Sequence, residues 1–153
     1  MNHGGIKMKI AIGCDHAAPE LKNEIAEHIR ERGIEVIDLG IQPGEKCDYP
    51  DKAAEVCRLV TAGECDMAVL VCGTGIGMSM SANKIKGIRA ACCSDYFSAK
   101  FTRAHNDANV LCMGARVVGA GLAFELVDVF IDTPFEGGRH QRRVDKITAL
   151  ENS

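Results

Sequence analysis

Residues Ala68–Lys84 read AVLVCGTGIGMSMSANK. Five apolar residues ending in Cys72 run into a Gly-x-Gly-x-Gly turn at Gly73, Gly75 and Gly77, and a helical pattern follows through Met80 and Asn83. A short continuous apolar run bounded by glycine marks a strand covered on both faces. The glycines after it let several backbone N–H groups converge at the start of a helix. Strand, glycine turn and helix together form the repeating unit of a parallel α/β sheet.

The same grammar extends in both directions. Upstream, KIAIGC (Lys9–Cys14) is a buried strand, and PELKNEIAEHIRERG places Leu21, Ile25 and Ile29 on one helical stripe, with Pro19 early and Gly33 as a stop. EVIDLG is a second strand. DYPDKAAEVCRLVTAGE is a helix from about Pro50, with Ala53, Val56, Cys57 and Val60 inward. Downstream, GIRAACC and NVLCMG are strands flanking the helix SDYFSAKFTRAH, and GAGLAFELVDVFID is a helix with little polar surface. The spacing predicts one open, doubly wound, Rossmann-like α/β domain over residues 8–153, with a five-stranded parallel sheet and its ligand site at the C-terminal strand ends. The tail GGRHQRRVDKITALENS forms a last amphipathic helix carrying Val144, Ile147 and Leu150; no strand follows it, so it is free to pack on another subunit. Met1–Lys7 reads as a loose leader.

Composition narrows the function classes. A chain of 153 residues with 46 % hydrophobic and 25 % charged content is an ordinary globular protein. Its net charge of −3 argues against nucleic acid as the main partner. No apolar run is long enough to span a bilayer, and no secretory signal opens the chain. The eight cysteines show no C-x-x-C spacing, so no metal site or cofactor is expected from them, and a reducing, cytoplasmic setting is.

Three readings of the glycine loop compete. A Walker A loop fails for want of its lysine and spacing. A dinucleotide fingerprint finds Gly73 and Gly75, with Asp95 as a ribose ligand, but Met78 stands at the third glycine position, where its side chain would obstruct helix–strand packing. An oxyanion cradle fits best. A thiol beside it is drawn toward thiolate, able to attack an acyl group or to take a carbon-bound proton while the loop holds the resulting enediolate. A structural cysteine before a tight turn is the plain alternative.

Asp15 and His16 of GCDHA fall at the first strand's end, in the same mouth as Cys72, although a helix cap with a surface imidazole would look similar. RAHNDAN gathers Arg103, His105, Asn106, Asp107 and Asn109 before the fifth strand. Arg139 and Arg143, at i and i+4, share a helix face suited to a phosphate, or else form a solvated basic helix end. A thiol base, an anion loop, an Asp/His pair, a second histidine and phosphate-binding arginines are the parts needed to interconvert an aldose phosphate and a ketose phosphate.

GCDHA, DYPD, CGTGIGMSMSANK, RAHNDANVLCMGARVVG and FEGGRHQRRV, in that order, resemble the ribose-5-phosphate isomerase type B family, which also holds the two subunits of galactose-6-phosphate isomerase. The resemblance runs from Met8 to about Glu151; the leader and Ala18–Pro19 depart from it. It implies an enzyme interconverting ribose 5-phosphate and ribulose 5-phosphate in the pentose phosphate pathway, or else an isomerase of allose or galactose 6-phosphate. It implies Cys72 as the base; some members use a Glu after the loop, where Met78 stands here. It implies Thr74 as a hydroxyl proton shuttle and Asp15 and His105 as ring-opening groups. The amides of Gly73, Gly75, Ile76, Gly77, Met78 and Ser79 would hold the enediolate, and Tyr49 and Asn106 would touch the sugar. His16, Arg116, Arg139 and Arg143 would bind phosphate with His140 nearby. Neither metal nor cofactor is implied. Sites shared between the subunits of a homodimer are, with tetramers possible. A non-catalytic nucleotide- or phosphate-binding module is the reading from another class.

Overall fold

Side chains alternate across each strand, and here that alternation sorts the core into two layers. A computed structural model describes residues 7–153, so the leader read at Met1–Lys7 lies outside the described residues except for Lys7. The elements are β1 (Lys9–Cys14), α1 (Pro19–Glu31), β2 (Glu35–Asp38), α2 (Tyr49–Thr61), β3 (Met67–Cys72), α3 (Ile76–Ala82), β4 (Ala90–Cys92), α4 (Tyr96–Asn106), β5 (Val110–Gly114), α5 (Ala120–Asp132) and α6 (Arg139–Leu150). The sheet is five-stranded and parallel throughout, in the order β2-β1-β3-β5-β4.

One layer joins Ile10, Ile12, Val69, Val71, Leu111 and Met113 to the inward faces of α1, α4 and α5. The other joins Ala11, Ala68, Leu70, Cys72, Val110 and Cys112 to α2 and α3. Right-handed crossovers put helices on opposite faces when the chain moves to opposite sides of β1, which is why α1 and α2 separate. The strand order reverses between β1 and β3, and a crevice at the carboxyl ends of such strands is where this architecture binds ligands.

Two sequence-based expectations shift. The strand read from GIRAACC shrinks to Ala90–Cys92, because Gly87 donates its N–H to Glu151 Oε1 at 2.8 Å and Ile88 donates to the Ile85 carbonyl at 3.1 Å, a turn rather than a ladder. Val60, expected inward, is half-buried at the margin of the α2 layer. The edge strand β4 has a side-chain partner: Asn83 Oδ1 accepts from the Ala90 N–H at 2.8 Å, and its Nδ2 donates to the Ala90 carbonyl at 2.9 Å.

Lys22 of α1 is fully buried, with Nζ donating to both Asp38 oxygens at 3.0 and 2.8 Å and to Asn23 Oδ1 at 2.7 Å. Asp38 Oδ1 also accepts the Gly40 N–H at 2.8 Å, and the Gly40 carbonyl takes the Cys14 N–H at 2.8 Å, so the buried pair fixes the loop beside the end of β1. Removing one partner of such a pair strands the other charge. Lys22→Ala is expected to cost about 3 kcal/mol, read as a lowered urea midpoint at unchanged slope.

Candidate active site

The C-terminal edge of the sheet brings the first group of site residues together. Cys14 pairs with Val71 and Cys72 with Gly114 in the strand register, and the Asp15 N–H donates to the Val71 carbonyl at 3.2 Å, so Asp15 stands next to Cys72. Asp15 is buried and accepts the Ala17 N–H at 3.0 Å. The N-cap of α1 is Ala18, so Asp15 is not a helix cap. His16 is exposed, with Nδ1 3.4 Å from the Cys47 carbonyl.

Cys72 ends β3 with its side chain on the α2–α3 face, 5 % exposed. Its sulfur accepts the Gly75 N–H at 3.1 Å. Gly75 has φ +83°, a left-handed conformation; a Cβ there would fall 2.8 Å from the Met113 carbonyl carbon and 3.0 Å from Cys92 Sγ. A Cβ on Gly77 would strike the Tyr49 ring at 2.8 Å, and one on Gly73 would lie 3.4 Å from Arg116 Nη1. These close approaches put Tyr49 and Arg116 against the loop. Several other thiols are pushed up by burial: Cys14 and Cys93 to about 11, Cys57 to about 12, and Cys112 well above its ordinary value.

The loop amides are not equivalent. Gly75 donates to sulfur, Ile76 donates to Thr74 Oγ1 at 3.3 Å, and Ser79 donates to the Gly75 carbonyl at 3.1 Å. The N–H groups of Gly77 and Met78, in the first turn of α3, have no carbonyl within the helix to receive them. The Met78 side chain is fully buried with Leu70 and Cys112, so it fills the helix–sheet contact that the dinucleotide reading had it obstruct. Asp95, the ribose ligand of that reading, instead caps α4: its Oδ1 accepts the Ser98 N–H at 2.7 Å, which holds its carboxyl below the usual range.

The second group lies at the other end of the sheet. His105 and Asn106 close α4, which runs back from the C-terminal edge to the start of β5, and β5 spans about 16 Å. The Glu136 N–H donates to the Ala104 carbonyl at 3.0 Å, which docks the start of α6 on that corner. There the His105 and His140 rings stack at 4.1 Å and 10°, and Glu136 Oε2 lies 3.4 Å from His105 Nε2 and 3.3 Å from His140 Nε2. Burial first, then the nearby His105 and Arg139, lowers the proton affinity of His140. Arg139 and Arg143 are exposed, and neither has a carboxylate partner within 4.0 Å among the described residues. One chain therefore holds two separate groups of candidate residues, one at each end of the sheet.

A groove of about 390 Å³ between β4 and α4 runs from Cys92 and Cys93 past Phe97 and Phe101 to His105 and Asn106. Cys92 sits behind the loop, its sulfur 3.6 Å from the Thr74 carbonyl. Tyr96 and Phe97 on the same flank are 50 % and 70 % exposed. The sequence reading assigned no role to Glu136 or Cys92. Glu136 lies on the connection ahead of α6, where no helical pattern marks it, and nothing in the sequence marks Cys92. Among the described residues, no helix is long and apolar enough to cross a membrane.

Comparison with known proteins bears on this geometry. Residues 10–147 match the family model described as Ribose/Galactose Isomerase. The chain is 53 % identical to ribose-5-phosphate isomerase B of Escherichia coli over 94 % of its own length and 96 % of that protein's. It is 43 % identical to D-erythrulose-4-phosphate isomerase of Pectobacterium atrosepticum, covering 95 % and 96 % of the two chains. It superimposes on Clostridium thermocellum ribose-5-phosphate isomerase B with a TM-score of 0.93 at 50 % identity, covering 95 % and 98 %.

Proposed function

The chain belongs to the ribose/galactose isomerase family, and we propose that it interconverts ribose 5-phosphate and ribulose 5-phosphate by proton transfer at Cys72. The observation that carries this reading is the Cys72 unit: a thiol at a strand's carboxyl end, its sulfur taking the Gly75 N–H at 3.1 Å. That contact holds the sulfur at the mouth of the glycine loop, beside the free amides of the first turn of α3.

In this mechanism Asp15 and His105 move protons between ring oxygen and anomeric hydroxyl to open the sugar. Cys72 takes the C2 proton of the aldose and returns it to C1, the amides of Gly73, Thr74, Gly77 and Met78 hold the enediolate, and Thr74 Oγ1 relays hydroxyl protons. Ile76 and Ser79 frame the loop, because their own N–H groups are committed to Thr74 Oγ1 and the Gly75 carbonyl. Tyr49 and Asn106 contact the sugar. His16, Arg116, Arg139 and Arg143 grip the phosphate, with His140 beside them.

The two groups combine in a two-fold dimer. An axis crossing the middle of α4 exchanges that helix's ends, setting His105 and α6 of one copy over the loop of the other. The exposed Tyr96 and Phe97 on this flank support such a contact.

An isomerase of another sugar phosphate is the second reading, since a relative 43 % identical is named for a four-carbon substrate. Measuring kcat/KM for four-, five- and six-carbon aldose and ketose phosphates decides between them; the five-carbon pair is expected to lead by at least tenfold. In deuterated water the product is expected to carry solvent deuterium, and a chelator is expected to leave the rate unchanged. A higher kcat/KM for any other chain length overturns the substrate assignment.

A further inference from the structure

His105, Glu136 and His140 offer three ligand atoms that all lie within 4.8 Å of one another. The Glu136 oxygen is 3.4 Å from one imidazole nitrogen and 3.3 Å from the other, longer than a good N–H···O bond. Those separations match another geometry. Donor atoms around a tetrahedral zinc ion, with bonds of about 2.0–2.1 Å, stand about 3.3–3.4 Å apart. We propose that this cluster is an inhibitory binding site for a divalent transition metal such as Zn²⁺, held by His105, Glu136 and His140 with the fourth position left to water or an anion.

Three features support it. The Glu136 backbone is anchored to α4 through the Ala104 carbonyl, while its side chain is 54 % exposed and able to follow a metal. The imidazoles come from different elements, α4 and α6, so a bound ion would clamp the two together. The rings are stacked and nearly parallel, so one of them has to turn about its last torsion and leave the stack for both nitrogens to face one ion. Arg139 and Arg143 nearby would favour an anion as the fourth ligand.

The ion is not a catalytic partner here. It would occupy Nε2 of His105, the residue that the proposed function assigns to ring opening, so the inhibitory part rests on that reading while the binding part does not. Binding is tested on the full chain by calorimetric titration with Zn²⁺ and by the visible spectrum with Co²⁺. One equivalent per chain is expected, with the visible bands of tetrahedral nitrogen and oxygen ligation. Affinity is expected to fall at least tenfold in Glu136→Gln and in His140→Asn. Unchanged affinity in both variants, no binding, or a strong near-ultraviolet thiolate band placing the metal on cysteine would overturn the site.

Activity is the second readout. Zn²⁺ is expected to stop turnover reversibly, with recovery on adding a chelator. Glu136→Gln is expected to turn over normally without metal and to resist inhibition. Binding with this ligand dependence but no effect on turnover would keep the metal site, overturn its inhibitory role, and count against His105 as the ring-opening group.

Discussion

Cys72→Ala is expected to lower kcat by about 10³-fold while leaving sugar-phosphate affinity within severalfold. The substitution removes one sulfur from a residue already 5 % exposed and keeps its Cβ on the α2–α3 face, so the sheet edge should stand. What disappears is the proton acceptor, together with the group that receives the Gly75 N–H. The phosphate contacts proposed for Arg116, Arg139 and Arg143 lie elsewhere and are retained. Loss in kcat without loss in binding is the signature of a group acting only on the way to the transition state. Cys72→Ser separates the two jobs of the sulfur: oxygen still accepts the amide but is a far weaker base, so it should be nearly as impaired as alanine. Calorimetric titration with ribose 5-phosphate and a turnover assay on the same samples give both numbers. Turnover within tenfold of the parent in either variant would remove Cys72 from the chemistry.

Cys72→Ala and His105→Asn, each inactive alone, are expected to regain activity when mixed. The sulfur sits at the C-terminal edge of the sheet, and His105 ends a helix at the opposite edge, about 16 Å away along β5. If the working site joins Cys72 of one copy to His105 of another, a mixed dimer holds one doubly damaged site and one intact site. Random re-pairing makes half the dimers mixed, so about a quarter of the parent activity should return. Dissociation by mild denaturant followed by dilution together, or co-expression with two affinity tags, provides the mixture. A site contained within one chain predicts no recovery at any ratio.

The fold was largely legible because the strands are short, apolar and punctuated by glycine. KIAIGC and MAVLVC match β1 and β3 end for end. GIRAACC was not, since its apolar lettering conceals a turn whose N–H groups bond to Ile85 and Glu151 instead of a neighbouring strand. Half of the candidate site was equally readable: Asp15, Cys72 and the loop follow strands whose carboxyl ends must lie together. His105 and the residues of α6 were readable as chemistry but not as geometry, because sequence order does not say at which edge of the sheet a helix ends. Glu136 escaped because it lies on the connection before α6, where a lone carboxylate carries no periodic signal.

The carboxamide of Asn83 satisfies both outward-facing groups of Ala90. An unprotected border strand is a template onto which other chains zip, growing toward fibrils. With Ala90 occupied in this way, that position of β4 has no free backbone group to offer an incoming strand. The Asn83 carboxamide thus acts as a local guard against strand addition at this border.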